Sequence, residues 1–274
     1  TFKKRNLHEI NIEHLVNFVG VNAEINFCGN NGDPIYHSKF HELCKRLKDN
    51  NCKVNITTNG SAKTKAWWQK LNNILDKNDT LILSIDGLED TNHIYRKNAK
   101  WKSIMDAIEV FAERKCELHW KYIVFKHNQH QIKDAKELSS KLKFDHFRLE
   151  HSDRWLGQKD LMPDREFVDT YYQQQEKVLI DPSFKTSMEP YCLDDDKPSN
   201  NLYIDSEGDF YPCCWMGTYR YKYKSLFSPK QNKFNIAENT LDGILNNNQI
   251  KDFFKSTKQF TSAHDCCKIQ CGKK

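Results

Sequence analysis

The spacing Cys192-x15-Gly208-x4-Cys213, answered near the end by Cys266-Cys267-x3-Cys271, constrains this chain more than any other feature. The first two thiols bracket a stretch that reads as a β-hairpin, with Cys214 directly following. Soft thiolates gathered in this way suit an iron–sulfur cluster or a zinc ion. The plainer alternative is a set of small buried hydrophobes, since free cysteine is often interior. Adjacent pairs beside a glycine-set turn favour the metal. By contrast, Cys28, Cys44, Cys52 and Cys116 read as packing residues; Cys44 falls on the apolar stripe of Phe40, Leu43 and Leu47.

Composition narrows the class. Hydrophobic residues make up 38% and charged residues 29% of 274, an ordinary soluble mixture with material for one large or two modest domains. No apolar run approaches the ~18 residues of a membrane span. No charged-then-apolar leader opens the sequence, so a cytoplasmic protein is expected. Ten cysteines in a reducing compartment then read as ligands, catalytic groups or packing, not as a disulfide framework. The net charge of +5 is spread thinly, so nucleic-acid binding is not indicated.

Up to about residue 150 a strand–helix rhythm repeats. Strands are expected at Asn22–Cys28, Lys53–Thr57, Thr80–Ile85, Leu118–Phe125 and Phe144–Leu149, with amphipathic helical segments between them. Their starts lie roughly thirty residues apart, the span of a βαβ unit with a right-handed crossover. The fold class is therefore α/β, with a parallel sheet that is either open or curved into a barrel. In both architectures ligands sit beyond the carboxyl ends of the strands. Those ends carry Gly29-Asn-Asn-Gly-Asp-Pro34, Thr58-Asn-Gly60, Asp86-Gly87 and Lys126-His-Asn-Gln-His130. Glycine beside Asp or Asn suits tight turns that bring backbone donors close to a ligand.

Beyond residue 150 the rhythm stops. Helices are expected at Arg165–Val178 and around Leu241–Phe254, and a hairpin at Leu202–Asp205 and Phe210–Cys213. Three regions follow: a barrel-like unit over 1–155, a connecting helical segment over 156–190, and a small cysteine-rich domain over 191–274 that a bound metal would help organise. Tyr203, Tyr211, Trp215, Tyr219, Tyr221 and Tyr223 pack that domain or line a substrate groove.

The series FCGNNGDPI, ITTNG and SIDG, followed by Tyr95-Arg96 and Trp101, resembles the core of radical S-adenosylmethionine (radical SAM) enzymes. The tail resembles their auxiliary-cluster domain, SPASM or its shortened twitch form. The likeness runs from about Glu24 to Cys271 and implies a partial (β/α)6 TIM-like barrel. On that template Gly29, Gly32, Asp33 and Pro34 align with the glycine-rich segment that contacts the methionine amino group. Ser84 and Asp86 align with the strand end that approaches the ribose or carboxylate, and Asn59 and Arg96 would line the same pocket. A zwitterionic amino-acid head needs acceptors for its ammonium and donors for its carboxylate, which these groups provide. Asp86 as a turn cap and Arg96 as a solvated charge are the alternatives.

The resemblance further implies an auxiliary [4Fe–4S] cluster held by Cys192, Cys213, Cys267 and Cys271, with Cys214 and Cys266 as spare neighbours. No Cys-x3-Cys-x2-Cys loop is present in these residues. The expectation is an N-terminally truncated fragment lacking the first barrel strand, whose parent carries S-adenosylmethionine and a second [4Fe–4S] cluster. In such a parent, a 5′-deoxyadenosyl radical would abstract hydrogen from a peptide, protein or small molecule, with flavodoxin or ferredoxin as reductant and the auxiliary cluster moving electrons. The competing reading is a non-catalytic α/β scaffold whose thiolate module holds zinc or iron–sulfur for partner interaction or electron transfer.

Overall fold

A computed structural model describes residues 9–29, 32–150, 152, 159–167, 187–190, 192–194, 197–198, 202–218, 227 and 233–273. The chain divides into two compact units, residues 21–174 and residues 1–20 with 175–274.

The first unit is built on five parallel strands: β1 Glu24–Phe27, β2 Lys53–Thr58, β3 Thr80–Ser84, β4 Glu117–Ile123 and β5 His146–Glu150. They lie in the order β1-β2-β3-β4-β5. This sequential order has no topological switch point, so it belongs to the singly wound, barrel-type arrangement and not to the doubly wound one. Right-handed crossovers then place every connecting helix on one face.

Side-chain contacts identify that face. Phe27 packs edge-on against Phe40 of the helix Phe40–Asp49, and Trp120 packs against Phe144 and Phe147. Ile56, Leu81 and Leu118 share the row of Phe27, while Leu83, Trp120 and Phe147 share that of Thr58. Because side chains alternate across a strand, the opposite face carries Asn26, Asn55, Thr80 and Glu117 in one row. Thr57, Ile82, His119 and His146 form the next. That face is largely polar. Asn55 Nδ2 donates to Glu24 Oε1 at 2.6 Å and to Asn26 Oδ1 at 2.9 Å across it.

At the amino ends of the strands, Asp79 is fully buried and its Oδ1 accepts from Lys48 Nζ and Val54 N, each at 2.8 Å. Its Oδ2 accepts from Asp76 N at 2.8 Å. A buried carboxylate is tolerated only when paired and hydrogen-bonded, and this one is both.

In the second unit, the helix Ile12–Val19 begins at Asn11, whose side chain accepts from His14 N, and buries Ile12, Leu15 and Val16. Tyr203–Ile204 and Phe210–Tyr211 form the expected antiparallel hairpin. Gly208 at its turn has φ +83, a backbone conformation that residues with a Cβ rarely adopt, so the turn favours glycine. Phe210, Tyr211, Phe227, Ile244, Ile250 and Phe254 form the core, with Phe18 of the first helix packed against it.

The helix expected around Leu241–Phe254 is in fact two, Leu241–Asn246 and Asn248–Thr257. Asn247 leaves helical geometry at ψ 133 and its side chain accepts from Gln249 N, so it caps the second helix instead of continuing the first. Of the helix expected at Arg165–Val178, one 3-10 turn is seen at Arg165–Phe167; residues 168–178 lie outside the described residues.

Candidate functional site

The carboxyl ends of the strands in the first unit carry a continuous hydrogen-bond system. After β1, Asp33 begins the 3-10 turn Pro34–Tyr36, its Oδ1 accepting from Ile35 N at 3.3 Å. Its Oδ2 accepts from Thr58 Oγ1 at 2.8 Å and Asn59 N at 2.9 Å, which ties the loop after β1 to the end of β2. Burial holds the Asp33 carboxyl above its usual range, opposed by hydrogen bonds from Asn59, Thr58 and Ile35 and by the nearby charge of Arg96. Asn59 closes its own turn by accepting from Ser61 N at 2.9 Å.

After β3, Ser84 and Asp86 are buried, Asp86 completely. Asp86 Oδ1 accepts from Ile123 N at 2.7 Å and Oδ2 from Arg96 Nε at 2.6 Å. Its backbone is equally engaged, N donating to Asn92 Oδ1 and O accepting from Asn128 Nδ2. Gly87, with φ +141, passes so close to the next helix that a Cβ would stand 2.8 Å from Asn92 N. The structure therefore gathers Asp33, Asn59, Ser84, Asp86 and Arg96 at one rim, with Gly29 and Pro34 on the loop that Asp33 anchors. Gly32 is exposed on the same loop.

Sequence reasoning missed the residues that lock this rim. Asn128 is fully buried: its Nδ2 also reaches Ile123 O at 2.9 Å and its Oδ1 accepts from Phe125 N at 2.7 Å. Gln131 Oε1 accepts from Leu88 N at 3.0 Å and from Thr91 Oγ1, while its Nε2 donates to Asp90 Oδ1 at 2.8 Å. Asn128 precedes and Gln131 ends the 3-10 turn Gln129–Gln131, a polar stretch in which only burial reveals the network.

In the second unit a small cavity is lined by Pro190, Trp215, Phe253 and five cysteines: 192, 213, 266, 267 and 271. Local structure explains the convergence. Gly272–Lys273 pairs antiparallel with Ser187–Met188, and Glu189 N donates to Cys271 O at 2.8 Å, so the chain end lies against the approach to Cys192. The helix Asp265–Cys271 is capped by His264, whose Nδ1 accepts from Cys266 N at 3.1 Å. Cys267 and Cys271 stand four apart on it, hence on one face. Cys213 directly precedes the helix Cys214–Thr218.

The four cysteines expected to converge do line one cavity. Cys266, 1% exposed, joins them, whereas Cys214 is exposed and absent from the lining. Burial pushes the Cys192 thiol up to about 11, with Cys271 adding to the shift. Burial also raises Cys213 and Cys267, each within electrostatic reach of Cys192 and Cys266. A bound cation takes cysteines as thiolates and would reverse that preference. The residues present thus fit a thiolate-ligated iron–sulfur group.

Residues 192–272 match the family model of SPASM, an iron–sulfur cluster-binding domain. The chain carries a SPASM domain. The whole chain also resembles solved structures of low sequence identity. Streptococcus suis SuiB matches at 19% identity and a TM-score of 0.60, over 94% of this chain and 64% of that one. SuiB bound to S-adenosylmethionine matches at 17% and 0.61, over 97% and 66%. Native anSMEcpe with bound AdoMet and Kp18Cys peptide matches at 15% and 0.54, over 92% and 75%. These likenesses show the fold: the SPASM-bearing chain has the partial TIM-like architecture of radical SAM enzymes, and it spans just under two thirds of SuiB. No curated protein sequence matches it. Among the described residues, no helix is long and apolar enough to cross a membrane.

Proposed function

We propose that this chain is the cofactor-binding and auxiliary-cluster portion of a cytoplasmic radical SAM enzyme that modifies a peptide substrate. The observation that carries the reading is the cavity into which Cys192, Cys213, Cys266, Cys267 and Cys271 converge, inside a segment matching an iron–sulfur cluster-binding domain. In the intact protein, S-adenosylmethionine and a [4Fe–4S] cluster supply a 5′-deoxyadenosyl radical for hydrogen abstraction. Peptide substrates are favoured by the structural relatives, SuiB bound to precursor peptide SuiA and anSMEcpe bound to a Kp18Cys peptide.

In this reading the residues of the rim divide their work. Asp33 and Asp86 hold the loops in place, because their oxygens already accept from protein donors. The backbone of Gly29, Gly32, Asp33 and Pro34 and the Ser84 hydroxyl are left to meet the cofactor, with Asn59 and Arg96 at the edge of its pocket. Cys192, Cys213, Cys267 and Cys271 hold an auxiliary [4Fe–4S] cluster that relays electrons, and flavodoxin or ferredoxin serves as reductant. With four protein ligands such a cluster has no open iron position, which suits electron transfer better than substrate binding.

The match of residues 192–272 to an iron–sulfur cluster-binding domain favours a cluster over zinc. Anaerobic purification tests the proposal. A brown protein with stoichiometric iron and sulfide supports it; a colourless, zinc-loaded protein that refuses iron reconstitution overturns it.

A further inference from the structure

A second cluster of metal-binding side chains lies in the first unit, on the polar face of the sheet and toward the amino ends of β4 and β5. Glu117 and His119 are i and i+2 on β4 and so share a face, and His146 opens β5 in register with His119. The rings of His119 and His146 meet edge to face with centroids 4.6 Å apart. Glu117 Oε2 lies 2.8 Å from His119 Nε2. One ligand atom from each of the three residues falls within 4.8 Å of the other two.

Burial and hydrogen bonding give the cluster a direction. His119 is 3% exposed, and its Nδ1 is buried with no hydrogen-bond partner. An orphaned imidazole nitrogen costs free energy unless something occupies it. Desolvation by burial holds His119 below the ordinary imidazole range, opposed by Glu117 and reinforced by Arg148 and His146. Glu117 and His146 are exposed, which leaves an entry path. The nearby Lys121 has its own counter-ion, Glu150, at 3.6 Å.

Two imidazoles and one carboxylate with open positions form a donor set for divalent first-row metals. We propose that Glu117, His119 and His146 bind one such ion, zinc in the simplest case, joining β4 to β5. β5 has one strand partner in the described sheet, so the ion would staple that edge. Nothing in this site involves the cysteines or the strand carboxyl ends.

The test uses protein whose iron–sulfur content has first been reconstituted, so that thiols do not compete, and then loaded with zinc. X-ray absorption at the zinc edge should show a nitrogen/oxygen shell at about 2.0–2.1 Å with imidazole scattering. Retained zinc should fall at least tenfold in H146A and in E117Q, whose altered side chains are exposed and leave the core intact. Zinc should also raise the melting temperature of the wild type and not of H146A. A sulfur shell at about 2.3 Å, or zinc retention that is equal in all three proteins, overturns the proposal. Because the readout is zinc ligation and not activity, it fails or succeeds independently of the radical enzyme reading.

Discussion

Arg96 Nε lies 2.6 Å from Oδ2 of Asp86, a carboxylate with no solvent exposure. The opposite oxygen of Asp86 accepts from Ile123 N at 2.7 Å, so one side chain joins the end of β3, the end of β4 and the short helix Asn92–Tyr95. The pair is neither a turn cap nor a solvated charge. Its first role is to hold the rim on which a ligand would rest.

That role predicts the effect of Asp86→Asn. The substitution removes the charge that pairs Arg96 and turns an amide N–H toward one of two donors. Removing one partner of a buried pair costs about 3–5 kcal/mol, discounted here toward the lower end because Arg96 is 21% exposed. Urea unfolding should show a loss of about 3 kcal/mol. A loss well under 1 kcal/mol would mean that the pair is a surface feature in effect and that the rim is held by other contacts.

Asp33 predicts a pH dependence of opposite sense to the usual salt-bridged acid. Its carboxyl is raised in the folded state, chiefly by burial, so the native protein holds its proton at pH values where the unfolded chain has lost it. The Asp33 contribution is therefore fully present below the unfolded value and declines as pH rises through the folded one. Stability of the wild type relative to Asp33→Asn, followed by urea melts from neutral to acid pH, should increase on acidification. A gap that narrows instead contradicts the burial argument.

At the other end of the strands, Lys48 serves Asp79 and Asp76 at 2.8 and 3.0 Å and donates to Cys52 O at 3.0 Å. Asp79 is wholly buried, so Lys48→Met leaves its charge with backbone donors alone. We expect a loss of about 3 kcal/mol in chemical denaturation. Lys48→Met with Asp79→Asn should recover part of it, since the uncompensated charge is then gone. Additive losses in the double variant would show that the two groups do not act as a pair.

The architecture was legible because apolar period and turn residues agree along the first half. The five strands begin and end within a few residues of expectation, and their sequential order follows from βαβ rhythm. Asn247 escaped notice because an asparagine within an amphipathic run reads as a helical surface position, and only its side-chain cap reveals a break. The Glu117–His119–His146 cluster was invisible for a different reason. It depends on the register between β4 and β5, which no local pattern encodes. At the rim, Asp33 and Asp86 were found as ligand candidates, yet their oxygens serve the protein itself; that distinction rests on burial and partners. The cysteine cavity was the most legible part, since chemistry restricts what clustered thiols do.

The cavity also predicts which thiols matter. Cys192, Cys213, Cys267 and Cys271 reach it from three separate segments, so the loss of any one should lower bound iron after anaerobic reconstitution. Cys214 is exposed and outside the lining, and Cys214→Ser should retain full iron content. Cys266 is the discriminating case, being buried, in the lining and adjacent to Cys267. On the helix Asp265–Cys271, Cys267 and Cys271 stand one turn apart and point to the same side, whereas Cys266 is rotated by about 100°. Cys266→Ala should therefore keep its iron and its visible spectrum, while Cys267→Ala loses both. If the two variants exchange these outcomes, the ligand is Cys266, and the cluster sits on the other side of that helix.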